Sequence, residues 1–85
     1  MTTLQDLTKE SQDLTAELTS TGYSMMLVWS FEKDHDCFCW SCDFYKPRKP
    51  KGWTHWEPGV SKDINEAVSA GYNNAKNNNI WGKNK

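Results

Sequence analysis

The chain has 85 residues, a formal net charge of −1 and three cysteines, with 25% charged and 36% hydrophobic residues. This length allows one small domain with a thin core, and it argues against a deep catalytic cleft between two lobes. The sequence shows no apolar run of the about 20 residues that a membrane-spanning helix needs, and no secretory signal. Because an odd number of cysteines is unusual for a secreted disulfide scaffold, we expect a soluble protein of the reducing cytoplasm.

The first predicted element is a helix over about residues 3–20. Its apolar stripe consists of Leu4, Leu7, Leu14 and Leu18. Thr2 or Thr3 is placed to cap the start, and Gly22 follows where a helix commonly ends. The stripe favours packing on a sheet, and a two-helix seam with another copy is the alternative.

Alternating apolar residues next predict two antiparallel strands, at residues 23–31 and 37–45, joined by a polar turn. Prolines at 47 and 50 end the second strand, and residues 53–57 are typical of a short third strand. We expect helices to cover the sheet face that carries Leu27, Trp29, Phe38 and Trp40. The opposite face, which carries Met26, Val28, Cys37, Cys39 and Tyr45, should stay open.

A second helix is predicted after the turn at Pro58-Gly59, with Ser61 or Asp63 as its cap. Its apolar stripe is Ile64, Ala67, Val68, Gly71 and Ala75. The sequence therefore predicts an α+β fold of order α-β-β-β-α, with a three-stranded antiparallel meander and two helices packed on one face. Residues 1–76 form the single predicted domain, and residues 77–85, rich in Asn and Lys, are predicted to form a flexible tail.

Cysteines and histidines in the hairpin offer soft metal ligands. The candidate zinc ligands are His35, Cys37, Cys39 and His55, whereas Cys39 and Cys42 are three residues apart on a strand and point to opposite faces. That spacing disfavours both a zinc knuckle and a redox pair, so we expect free, metal-free thiols. The sequence also lacks a nucleophile motif of the G-x-S-x-G type and a Gly-rich phosphate loop, so we expect no catalytic activity and no cofactor.

A basic loop with aromatic neighbours is the candidate binding segment. Lys46, Arg48, Lys49 and Lys51 lie between Tyr45 and Trp53, and His55 and Trp56 follow closely. Cations that meet phosphate and rings that stack on bases are typical of proteins that bind single strands or nucleotides. The alternative is a solvated loop whose tryptophans belong to the core.

The five tryptophans, three tyrosines and three phenylalanines are more than so small a core encloses comfortably. Exposed aromatic residues and methionines commonly mark protein interfaces. We therefore predict a non-enzymatic protein that occupies a protein partner's surface: an inhibitor, adaptor or accessory factor, including the small proteins that phages use against host machinery. The predicted contact residues are Tyr45, Lys46, Arg48, Lys49, Lys51, Trp53, His55, Trp56, Met26 and Val28.

Two other functions remain as alternatives. One is nucleic-acid or nucleotide binding through residues 46–56, and the other is a zinc-binding domain. Self-association as a homodimer, through the first helix or the open sheet face, is a further expectation because Met26 and Val28 lie on that face.

Overall fold

The computed structural model describes residues 7–82 and confirms the predicted α+β class and its α-β-β-β-α order, with one additional short strand. In chain order the elements are α1 (Lys9–Thr19), β1 (Ser24–Glu32), β2 (Cys37–Pro47), β3 (Trp53–His55), β4 (Gly59–Ser61) and α2 (Ile64–Lys76). Within the described residues no helix is long and apolar enough to cross a membrane.

Helix α1 begins at Lys9 because Thr8 caps it: the Thr8 hydroxyl accepts a hydrogen bond from the Ser11 amide at 3.2 Å. Leu4 and the predicted caps Thr2 and Thr3 lie outside the described residues. The chain leaves the helix through Gly22, whose φ of +99° favours glycine, as the sequence predicted for the helix end.

Strand β2 is the centre of the sheet. On one side it pairs along its length with β1, in a register that places Met25 opposite Phe44 and Trp29 opposite Trp40. On its other side it pairs with both β3 and β4, which follow one another along the same edge. The predicted turn at Pro58-Gly59 therefore leads directly into a strand that the sequence pattern did not reveal.

Both helices contact the sheet face that carries Met25, Cys42 and Phe44. The Thr15 hydroxyl of α1 contacts the Met25 sulfur at 3.6 Å, and Gly71 of α2 packs on Cys42. Asp63 caps α2, as predicted, by accepting a hydrogen bond from the Glu66 amide. The buried apolar residues at this contact are Leu7, Leu18, Cys42, Phe44, Trp56, Ile64, Ala67, Val68 and Ala75.

Glu17 of α1 joins the two helices at their exposed side. Its carboxylate accepts hydrogen bonds from the Tyr72 hydroxyl at 2.7 Å and from the Lys76 ammonium at 3.0 Å. The Tyr72 hydrogen bond, followed by that of Lys76, lowers the pKa of the Glu17 carboxyl. Because these groups are exposed, the contact orients the helices more than it stabilises them.

The helices cover only part of the predicted face, and this corrects one expectation. Trp29 and Phe38 were expected beneath the helices but are 52% and 53% exposed, while Leu27 and Trp40 pack against the core. The reason is length: the 11 residues of β2 span about 35 Å, whereas the 13 residues of α2 span about 20 Å. The closed end of the β1–β2 hairpin therefore extends beyond the helices.

Residues after α2 return to the sheet. The Glu57 amide donates to the Asn79 carbonyl at 2.8 Å, and the Trp81 amide donates to the His55 carbonyl at 2.8 Å. Ile80 forms a β-bridge with Trp56. The described part of the predicted tail is thus attached to the domain beside β3.

Candidate partner-binding surface

The β2–β3 hairpin positions the candidate site. Tyr45 pairs with His55 and Pro47 pairs with Trp53, while the Arg48 amide closes the loop by donating to the Gly52 carbonyl at 2.9 Å. Gly52 has a φ of +101°, so the turn needs glycine there. Because side chains alternate along strands, Tyr45, Trp53 and His55 share the open face of the sheet.

The three rings pack against one another. Trp53 meets Tyr45 edge to face, with ring centroids 5.4 Å apart at 69°, and His55 stacks on Tyr45 at 5.4 Å and 22°. Trp53 is nevertheless 53% exposed. Mutual packing thus holds an aromatic platform in one orientation while a large ring surface stays in contact with water.

Asp43 fixes the orientation of His55. The Asp43 Oδ2 and His55 Nδ1 atoms are 3.2 Å apart, and Asp43 lies on β2 two residues before Tyr45. The other carboxylate oxygen, Oδ1, is buried and has no hydrogen-bond partner within residues 7–82. Leaving a buried carboxylate oxygen unpaired costs free energy, so the orientation of Asp43 depends on its contact with His55.

Three of the four predicted cations lie in the loop beside the rings. Arg48, Lys49 and Lys51 are exposed. Lys46 is separate from them: it alternates with Tyr45 along β2, and its ammonium lies 4.4 Å from the centroid of the Tyr23 ring, on the opposite face. The structure therefore does not bring Lys46 to the predicted contact surface.

Trp56 was predicted at this surface but lies in the core. It is only 7% exposed, its ring is 5.0 Å from that of Tyr23, and its indole N–H donates to the Asn78 side chain at 3.0 Å. It follows β3 by one residue and alternates with His55, so it points to the helix side. We leave Trp56 and Lys46 out of the contact set.

Met26 and Val28 extend the site across the open face, as the alternation of β1 predicted. Met26 lies opposite Asp43 and Val28 opposite Ser41. The two side chains are 48% and 40% exposed. We call the set Tyr45, Trp53, His55, Arg48, Lys49 and Lys51 the basic aromatic surface; Met26 and Val28 form its apolar border.

Sequence reasoning missed a second exposed aromatic cluster, at the closed end of the β1–β2 hairpin. Trp29 stacks on Phe38 at 5.8 Å, and Phe31 meets Phe38 edge to face at 5.6 Å. The side chains of Trp29, Phe31 and Phe38 are each at least half exposed, and we call these three residues the hairpin cluster. The missed signal was the length of the strands, which exceeds what either helix can cover.

The three thiols are free, and two of them are close together. The Cys37 and Cys39 sulfurs lie 3.7 Å apart, and Cys42 faces the core. Cys39 was expected on an uncovered face but is buried, with only 1% of its surface exposed. His55 is far from the Cys37 and Cys39 thiols. It pairs with Tyr45, and Tyr45 lies six residues from Cys39 along β2, a distance of about 20 Å. Within residues 7–82 no group of three or more His, Cys, Asp or Glu side chains is arranged to hold a metal ion.

We predict that Cys37 alone reacts with a thiol reagent in the folded protein. Burial raises the pKa of the Cys42 thiol to about 12 and also raises that of Cys39, so both stay protonated and unreactive near neutral pH. Titration with a chromogenic disulfide should give one thiol in buffer and all three in denaturant. Fast reaction of all three in buffer, or zinc retained after dialysis, would contradict this prediction.

The exposed groups of this region support two kinds of contact. The rings provide apolar and stacking area, and the loop cations provide charge-assisted contacts to carboxylates or phosphates. Comparison of the chain with protein-family models, with curated proteins and with solved structures finds no match.

Proposed function

We propose that this chain is a non-enzymatic binding protein that occupies the surface of a protein partner, as an inhibitor, adaptor or accessory factor. The observation that carries the proposal is Trp53, which is 53% exposed and held in place by Tyr45 beside three exposed cations. Trp, Tyr and Arg are the residue types that most often dominate the binding energy of protein interfaces.

The chemistry of the surface supports one kind of partner surface. Tyr45 and Trp53 favour an apolar or aromatic side chain, while Arg48, Lys49 and Lys51 favour acidic groups around it. The complementary surface is therefore an apolar centre with an acidic rim.

Preorganisation supports the same proposal. The loop is closed by the Arg48–Gly52 hydrogen bond, and Pro47 and Pro50 restrict its backbone. The ring of Tyr45 packs against both Trp53 and His55. A partner would therefore have few groups to order on binding, which lowers the entropic cost of association.

Nucleic-acid or nucleotide binding is the second candidate, favoured by the same rings and cations. Single-stranded nucleic acid is commonly bound by aromatic side chains that stack on bases beside a positive groove. The two candidates differ in their salt dependence, because phosphate contacts release counterions and weaken steeply as salt rises.

The experiment is affinity capture from nuclease-treated lysate of the native cell, with mass spectrometry of the retained proteins. We expect the wild-type chain to retain a specific protein and Trp53→Asp to lose it, because the acid replaces the central apolar contact. Phe38→Asp is the matched control, since Phe38 is equally exposed at 53% but lies in the hairpin cluster. Equal retention by Trp53→Asp and the wild type would contradict the proposed surface.

A further inference from the structure

Strand β1 is an edge strand of the sheet within the described residues. It pairs with β2 on one side, and within residues 7–82 no strand pairs with its other side. Its nine residues, Ser24–Glu32, contain no proline and no lysine, and Glu32 at the end is the only charged residue. Prolines, lysines and bulges are the usual means of preventing edge strands from pairing with another chain.

Exposed apolar side chains are concentrated on this edge strand. Met26 and Val28 are exposed on the open face, and Trp29 and Phe31 on the face of the helices, with exposures between 40% and 52%. A strand that is apolar on both faces and unpaired at its edge is typical of an interface.

A groove lies at the other end of the same strand, between α1 and β1. It has a volume of about 400 Å³ and is lined by Leu7, Gln12, Thr15, Ala16, Thr19 and Met25. Met25 and Phe31 are six residues apart on β1, so both point to the helix side of the sheet. The chain thus presents an exposed aromatic side chain at one end of β1 and a largely apolar groove at the other.

We propose that two copies of the chain pair antiparallel through β1, about a twofold axis at Val28, and form one continuous sheet. In this register Phe31 of each copy lies opposite Met25 of the other and fills the groove between α1 and β1. Trp29 lies opposite Leu27, and Val28 lies opposite its own counterpart. An axis perpendicular to the sheet leaves the helices of both copies on the same face, so each aromatic side chain meets a groove on its own side.

A second copy is the occupant because each copy carries an exposed Phe31 at one end of β1 and a groove that can receive it at the other end. Only an axis at Val28 pairs all nine residues, Ser24–Glu32, with a counterpart. Glu32 then lies opposite Ser24, so no like charges face each other. Phe31 of each copy fills the groove of the other copy, so the same contact occurs twice, as an isologous interface requires. The basic aromatic surface stays accessible because β2 separates β3 from the paired edge.

The first test is the mass of the protein in solution, measured by sedimentation equilibrium from low micromolar to hundreds of micromolar. We expect a dimer at tens of micromolar for the wild type. Phe31→Asp places a carboxylate in the groove and should weaken the dimer by about tenfold or more. Trp53→Asp, an equivalent change outside β1, should remain dimeric, and circular dichroism checks that each variant is folded. A monomeric wild type, or a Phe31→Asp variant as dimeric as the wild type, would overturn the proposal.

The second test fixes the register by disulfide trapping in a Cys37→Ser background. Directly opposed strand residues have Cα atoms about 4.5–5.5 Å apart, within the range that a disulfide bridges. Val28→Cys should therefore form a covalent dimer under mild oxidation. Met26→Cys is the control: it is exposed on the same face, but the two copies of residue 26 lie about 13 Å apart along the strands. Equal trapping of both variants, or trapping of Met26→Cys alone, would refute the Val28 axis.

Discussion

Replacing Gly59 with alanine should lower the free energy of unfolding by about 3 kcal/mol, the upper part of the usual range for overpacking a core. Gly59 of strand β4 lies directly against the backbone of helix α2. A Cβ added there would overlap the Ala67 carbonyl oxygen and the Gly71 amide nitrogen, and it would lie 2.8 Å from the Ala70 Cβ. Two of these neighbours are backbone atoms, which cannot rotate away, so α2 would have to move off the sheet.

Chemical denaturation followed by tryptophan fluorescence measures this loss. A domain of this size has only roughly 5–10 kcal/mol of stability, so the variant should unfold at a clearly lower denaturant concentration. Ser69→Ala, a small substitution on the same helix, is the control and should change the midpoint little. An unchanged midpoint for Gly59→Ala would show that β4 and α2 are not in close contact.

Replacing Arg48, Lys49 and Lys51 together with alanine should weaken binding of the captured partner at least tenfold, or by about 1.4 kcal/mol. The three side chains are exposed, so their loss should leave the fold intact. Binding should suffer because these residues place three positive charges beside Trp53, where an acidic rim of the partner would meet them.

A matched triple variant separates this local effect from the change in net charge. Lys9, Lys33 and Lys62 are also exposed but lie elsewhere on the chain, and their replacement with alanine removes the same charge. Calorimetric titration with the purified partner should show near wild-type affinity for this control. If the two triple variants lose equal affinity, net charge and not the basic aromatic surface governs binding.

Sequence periodicity predicted most of the fold because each long element has one consistently apolar face. The 3.6-residue pattern of α2 and the alternation of β1 and β2 predict the faces that pack together in the core around Cys42 and Phe44. Strand β4 was not predictable in this way, since the three residues after Pro58 carry too little pattern. It pairs with β2 and contacts α2, and both of these are tertiary contacts. The exposure of Trp29 and Phe38 likewise depends on how far the helices extend, which is a tertiary property.

The candidate site was predicted in part. Alternation correctly placed Tyr45, Met26 and Val28 on the open face. The same alternation excludes Lys46 and Trp56, whereas proximity in sequence alone groups them with the site. The ring packing around Tyr45 and the link from Asp43 to His55 depend on the pairing of β2 with β3, which a single sequence does not define.

The salt dependence of affinity, measured for the wild type and for Trp53→Asp, shows whether the basic aromatic surface binds a protein partner. The captured partner and a single-stranded oligonucleotide serve as ligands. We predict that the protein partner binds with an affinity that falls only modestly with salt, and that Trp53→Asp removes this binding at every salt concentration. Tight oligonucleotide binding that weakens steeply with salt, together with no protein partner that depends on Trp53, would contradict protein binding by this surface and favour the nucleic-acid function.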